Sequence, residues 1–130
     1  MEIIRDFPPN IREINKRFRI TPDTVFAYGD KLYNPIGLPI PQDLMVHEES
    51  HQKQQESYGV IEWWAMYLEL PKFRLMQETE AYRNQYQFLK TVLNRKGRLS
   101  AINRLAEALS SELYGHLVSK KEAKELIDGE

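Results

Sequence analysis

The heptapeptide VHEESHQ, residues Val46 to Gln52, places His47 and His51 four positions apart, with Glu48 directly after the first. On an α-helix, residues four apart differ by about 40° in azimuth and about 6 Å along the axis, so both imidazoles point to one side and can share a metal ion. Glu48 lies about 100° round from His47. It is badly placed as a third ligand but can reach a water on that ion, which is the work of a general base. The chain has no cysteine, which removes thiolate ligands, disulfides and a cysteine nucleophile. Any metal is therefore held by His, Asp or Glu, and zinc suits two imidazoles. A chance match to His-Glu-x-x-His in a chain of this composition has a probability on the order of one percent, so the motif alone does not decide. The competing account is a core-facing stripe of Leu44, His47, His51 and Tyr58, with the histidines hydrogen-bonded to buried partners.

A third ligand separates the two accounts, because catalytic zinc takes three protein ligands and keeps one position for water. The segment FRLMQETEAYRNQYQFL offers Glu78 and Glu80. With Leu75 set at 0° and about 100° per residue, the apolar positions Leu75, Tyr82, Tyr86, Leu89, Val92 and Leu93 gather at about 320°. The same rule puts Glu78 at about 300°, inside the apolar face, and Glu80 at about 140°, among Arg83, Gln87 and Thr91. A carboxylate on a core face must be paired or bound to metal. Arg74 or Arg104 could pair with it. A zinc held by His47 and His51 would satisfy all three groups at once, so the expected site is one zinc per chain on His47, His51 and Glu78, with Glu80 as the alternative.

These side chains need a helical frame, and the chain supplies one. PNIREINKRF, from Pro9 to Phe18, reads as a short amphipathic helix, and TVFAYGDKLYNP as a hairpin of Thr24 to Tyr28 and Lys31 to Tyr33 about Gly29-Asp30. Prolines 35, 39 and 41 keep the next stretch extended. A helix then runs from about Gln42 to Tyr58 and ends at Gly59, carrying both histidines. VIEWWAMYLEL is a third helical segment, a fourth runs from about Lys72 to Lys96 and is closed by Gly97, and a fifth ends at Gly115. The fifth places Leu99, Ile102, Leu105, Ala106, Leu109 and Leu113 on one face. Ser119 and Glu122 form a capping-box pattern ahead of a final short helix. The fold class is α+β, mainly α, in one domain spanning residues 1–130, with an N-terminal hairpin and an active-site helix.

Composition narrows the partners. The 130 residues are 42% hydrophobic, enough for one core, and 18 basic against 19 acidic residues give a net charge of -1. No basic stripe interleaved with aromatics announces nucleic acid. No apolar run is long enough to span a membrane, and MEIIRDFPPN lacks the pattern of a signal peptide, so a cytoplasmic protein is expected.

The stretches HEESHQKQ, FRLMQETEAYRNQY and LSSELYGHLVSKKEAKELI resemble the gluzincin type of zinc peptidase, and more closely the small metallopeptidases encoded by bacteriophages, over roughly Pro41 to Ile127. The resemblance implies a zincin-like domain with His47, His51 and Glu78 as ligands and Glu48 as catalytic base. One departure stands out. Gluzincins of the thermolysin type usually place an Asp four residues after the ligand Glu to orient a ligand histidine; here that position is Tyr82, whose hydroxyl would accept the imidazole N–H. With Glu80 as ligand, the position would be Asn84.

The resemblance also gives the hairpin a role, in which TVFAY or KLYN would pair with the backbone of an extended substrate, unless the hairpin only covers the core. Trp63 and Trp64 could wall a side-chain pocket, although adjacent tryptophans on a helix more often put one ring in the core and one at the surface. Tyr114 or His116 would stabilise the oxyanion, unless LYGH is simply a helix end. The function so implied is zinc-dependent hydrolysis of a peptide or protein substrate. The alternatives are a metal-stabilised phage assembly or host-interaction protein without turnover, and a zinc amidase acting on cell-wall peptides.

Overall fold

A computed structural model describes residues 1–129. Three short strands, β1 (Glu2–Ile4), β2 (Phe26–Tyr28) and β3 (Lys31–Tyr33), form a sheet in the order β1-β3-β2. The hairpin of β2 and β3 matches the sequence expectation. β1 does not appear in it, because a three-residue strand at a chain start carries no alternation to read; it pairs parallel to β3 with Ile3 opposite Leu32. Among the described residues there are also six α-helices: α1 (Ile11–Arg17), α2 (Gln42–Tyr58), α3 (Val60–Glu69), α4 (Pro71–Val92), α5 (Arg95–Leu109) and α6 (Lys120–Asp128). None is long and apolar enough to cross a membrane.

Local signals set the helix joints. Gly59 has φ 91° and ψ 138°, a conformation open to glycine, and it turns the chain from α2 straight into α3. Pro71 starts α4, where its missing N–H costs nothing. The expectation that the fourth helix runs to Lys96 and stops at Gly97 is corrected. α4 ends at Val92, and Asn94 caps α5 by accepting a hydrogen bond from the Gly97 N–H at 2.9 Å. Gly97 thus lies in the first turn of a new helix. α5 ends at Leu109, and a 3-10 turn (Glu112–Tyr114) carries the chain to Gly115. The capping box at Ser119 and Glu122 forms as the sequence predicts.

Two apolar clusters hold these elements. One joins Tyr82, Tyr86 and Leu89 of α4 to Ile102, Leu105 and Leu109 of α5 and Ile127 of α6. The other joins Ile14 of α1, Phe26 of β2 and Trp63, Trp64 and Tyr67 of α3. Val92 and Leu99, assigned to core faces by phasing, are exposed on either side of the α4–α5 turn, and Tyr58 is exposed at the end of α2.

α2 is unlike its neighbours. Its buried residues are all polar: His47, Glu48, Ser50, His51, Gln54 and Gln55. A buried polar side chain costs stability unless it is hydrogen-bonded. Glu48 apart, α2 meets that demand, largely through bonds to α4 and the sheet. Gln55 donates to the Ala27 carbonyl at 2.8 Å and accepts from the Gly29 N–H at 2.7 Å, while Asn84 donates to the Ser50 hydroxyl at 2.9 Å.

Candidate metal centre

The two imidazoles of α2 converge on one oxygen of α4. His47 Nε2 lies 3.1 Å and His51 Nε2 3.2 Å from Glu78 Oε1. One ligand atom from each of the three residues lies within 4.8 Å of the others, and all three side chains are buried. Neither Arg74 nor Arg104 pairs with Glu78. Arg74 donates instead to the Tyr67 carbonyl at 2.7 Å and the Tyr114 carbonyl at 3.3 Å. Glu80 lies on the exposed side of α4, as its phasing predicts.

The outer faces of the imidazoles fix their tautomers. Gln85 Oε1 is 3.0 Å from His47 Nδ1, and Gln54 Oε1 is 2.9 Å from His51 Nδ1. Each amide is oriented by its own donors: Gln85 Nε2 donates to Asp43 Oδ2 at 2.8 Å, and Gln54 Nε2 donates to Glu80 Oε1 at 2.9 Å and the Gln77 carbonyl at 3.1 Å. With both amide oxygens turned to the rings, each Nδ1 carries the proton and donates it. Each Nε2 then presents either a second proton or a lone pair to Glu78. With the Nε2 protons displaced, the two imidazoles and the carboxylate would be a ligand set for a cation. Two ligand atoms bound to a tetrahedral zinc lie roughly 3.4 Å apart, close to the 3.1 and 3.2 Å between each imidazole and Glu78 Oε1.

This arrangement corrects the expected role of Tyr82. Its ring packs edge-on to His47 with centroids 4.5 Å apart, but its hydroxyl lies 2.8 Å from the Tyr114 hydroxyl and accepts no imidazole N–H. The orienting groups are Gln54 and Gln85. Sequence reasoning also misses Tyr67, whose hydroxyl donates to Glu78 Oε2 at 2.5 Å and fixes the carboxylate from α3. The phasing that singles out Glu78 could find Gln85 too, which falls at about 280° on the same wheel. Asn84 touches neither histidine.

Charge follows contact. Burial alone would lower the His51 pKa, but the charge and hydrogen bond of Glu78 outweigh it and raise the imidazole to about 9. Burial pushes the Glu78 carboxyl up, yet His51 and His47 overcome this and hold it well below the usual carboxylate range. Glu48 differs in kind. Its burial raises its pKa and the two histidines only partly offset this. It is 6% exposed, it accepts no hydrogen bond from any described residue, and its Oε2 lies 3.9 Å from His47 Nε2.

Two cavities meet at Glu48. One, of about 90 Å³, is mostly apolar and runs between α1, β2 and α3. The other, of about 300 Å³, is more polar and is lined by Asp23, Gln85 and Arg104 among others. His47, Glu48, Thr24, Val25 and Tyr114 line both. Trp63 and Trp64 are both buried and both wall the apolar cavity, so the expectation of one surface ring is corrected. The Trp63 N–H donates to Gln77 Oε1 at 2.9 Å and the Trp64 N–H to the Ala27 carbonyl at 3.2 Å. Neither hydrophobicity nor spacing reveals that both indoles have partners waiting.

The remaining expectations divide. β3 is the central strand, so KLYN has no free edge for a substrate backbone. β2 is an edge strand, but its Ala27 carbonyl is already taken by Gln55 and Trp64; Thr24, Val25, Phe26 and Ala27 of TVFAY line the apolar cavity, and Thr24 and Val25 line the polar one as well. Tyr114 lies against the site, and burial together with the Glu78 charge pushes its hydroxyl pKa well up, so it stays a proton donor. His116 lies outside. It is exposed at φ 51°, 3.1 Å from the Ser110 carbonyl, and lines neither cavity, which corrects its assignment to the oxyanion. Comparison of the chain with protein families, with curated proteins and with solved structures finds no match in any of the three.

Proposed function

We propose that the protein is a zinc-dependent hydrolase of peptide bonds, with His47, His51 and Glu78 as metal ligands and Glu48 as general base. Zinc in such a setting polarises a carbonyl oxygen and lowers the pKa of water near it. The chain's own residues do the rest. Glu48 takes a proton from the attacking water as its oxygen bonds to the carbonyl carbon. It then delivers that proton to the amide nitrogen as the carbon–nitrogen bond breaks. A base raised by burial is better matched to neutral pH than an ordinary carboxylate. The Tyr114 hydroxyl, which lines both cavities beside Glu48, would donate to the developing oxyanion. Gln54, Gln85 and Tyr67 hold the ligands in place by hydrogen bonds.

One observation carries the proposal: Glu48 is buried beside a three-ligand set, has no hydrogen-bond partner among the described residues, and faces both cavities. A structural zinc site is closed by a fourth ligand and has no use for such a group. A carboxylate largely withdrawn from water, with no protein donor, is free to take up a proton. The resemblance to phage-encoded gluzincins supports the same reading. A cell-wall amidase would use the same residues, so the substrate is found by screening. Purified protein is expected to carry about one zinc per chain and to cleave members of a peptide library in a chelator-sensitive way. Zinc-loaded protein that cleaves nothing would favour a metal-stabilised assembly or host-interaction protein.

A further inference from the structure

The polar cavity carries a cation with nothing to hold. The cavity is lined by residues of the candidate metal centre, by the segment ahead of β2 that carries Asp23, and by α5, which carries Arg104. Most of the polar side chains there have partners. Asp23 Oδ1 accepts from the Thr21 hydroxyl at 2.6 Å, the Gln85 amide is shared between Asp43 and His47, and the Tyr82 hydroxyl lies 2.8 Å from that of Tyr114. The exceptions are Glu48 and Arg104. Arg104, which spacing in the sequence offers as a partner for Glu78, pairs with neither Glu78 nor Asp23 among the described residues, nor with Glu107 one turn along its own helix. It is also the only Lys or Arg among the described residues that line either cavity. Its charge is felt at the centre: burial and Glu78 raise the pKa of the Tyr82 hydroxyl, and Arg104 works against them. A guanidinium offers five N–H donors, arranged in a planar fork that matches the two oxygens of a carboxylate. An anionic ligand in this cavity would be repelled by Asp23 and by Glu48 unless its charge lay at Arg104.

We propose that Arg104 is a carboxylate-binding residue of the polar cavity, so that the protein selects peptides with a free carboxylate close to the bond that is cleaved, either the C-terminal one or an acidic side chain. The position near a cleaved bond rests on the hydrolase reading; the binding of a carboxylate at Arg104 does not.

Binding is measured by calorimetric titration of zinc-loaded Glu48→Gln protein, so that occupancy is read without turnover. The probes are acetyl-trialanine with a free C-terminal acid, its C-terminal amide, and the amides in which the last residue is aspartate or lysine. The acid or the aspartate amide is expected to bind about tenfold tighter than the neutral amide, and which of them does so tells a terminal carboxylate from a side-chain one. In the same background Arg104→Gln is expected to erase that difference and Arg104→Lys to keep part of it. Arg104→Glu is expected to reverse it in favour of the lysine amide, a gain that misfolding cannot imitate. Equal binding of the charged and neutral probes, no binding of either carboxylate, or a preference for carboxylate that survives Arg104→Gln, as it would if the zinc alone took the carboxylate, would overturn the proposal. Carboxylate-dependent binding to a protein whose wild type cleaves no peptide leaves the role of Arg104 standing and removes the hydrolase reading. Cleavage by wild type that is indifferent to carboxylates and to Arg104→Gln does the reverse.

Discussion

His47 and His51 each lean on a glutamine rather than a carboxylate, and each glutamine is in turn held by a carboxylate, Asp43 for Gln85 and Glu80 for Gln54. The outer groups of a metal site commonly tune affinity 10- to 100-fold. Gln54→Met and Gln85→Met are therefore each expected to weaken zinc binding by about that factor in a chelator competition, while Tyr82→Phe stays near wild type. Loss of zinc from the Tyr82 variant alone would restore the role expected from the sequence. Titration gives a second test at this scale. In metal-free protein, His51 has a pKa of about 9, against an unfolded value of about 6.5. Its stabilising contribution is complete below about pH 6.5 and disappears as the pH climbs through about 9. Chelator-treated protein is expected to melt at a lower temperature at pH 9 than at pH 7, and a flat or rising profile would contradict the pairing with Glu78. At this scale the sequence is most legible where one residue breaks a pattern. Glu78 stands out on an apolar face, whereas Gln85 beside it draws no notice because an amide costs less to bury than a carboxylate.

At the scale of elements, the centre depends on how α2, α3 and α4 are joined. Gly59 has the left-handed φ that other residues adopt only at a cost, and a Cβ there would crowd the Glu62 carboxylate. Gly59→Ala is expected to destabilise the fold by about 1–3 kcal/mol in chemical denaturation, and an unchanged midpoint would show that the joint is not fixed by that residue. α2 itself is legible by its boundaries and its motif, since Gly59 and the histidine spacing mark it. Its partners are not. A helix buried through six polar residues has no apolar stripe to point at its neighbours, so hydrophobic phasing gives no direction for it. Long-range hydrogen bonds such as Gln55 to Ala27 set its orientation, and those have no periodic signature. The α4–α5 break is hidden because Gly97 looks like a terminator, whereas Asn94 three residues earlier is an N-cap and makes it the first turn of α5.

Across the whole molecule, the two apolar clusters flank a polar seam, and the candidate metal site lies in it: Tyr82 on one side packs on His47, and Trp63 on the other packs on His51 at 5.3 Å between centroids. A seam of buried acids and imidazoles is one that a bound cation would stabilise. Zinc present at about a thousand times its dissociation constant would stabilise the fold by about 4 kcal/mol. Removing it is expected to lower the melting temperature by roughly 10 °C or more in calorimetry. An unchanged melting temperature would mean that zinc does not bind the folded state. The central claim is that Glu48 is a base and not a structural group. It is tested by comparing wild type with Glu48→Gln on one peptide that wild type cleaves in a chelator-sensitive way, with zinc content and melting temperature measured on both. The account predicts that zinc content and melting temperature stay near wild type while the hydrolysis rate falls about 10²- to 10⁴-fold. Equal cleavage rates in two proteins carrying equal zinc would contradict it.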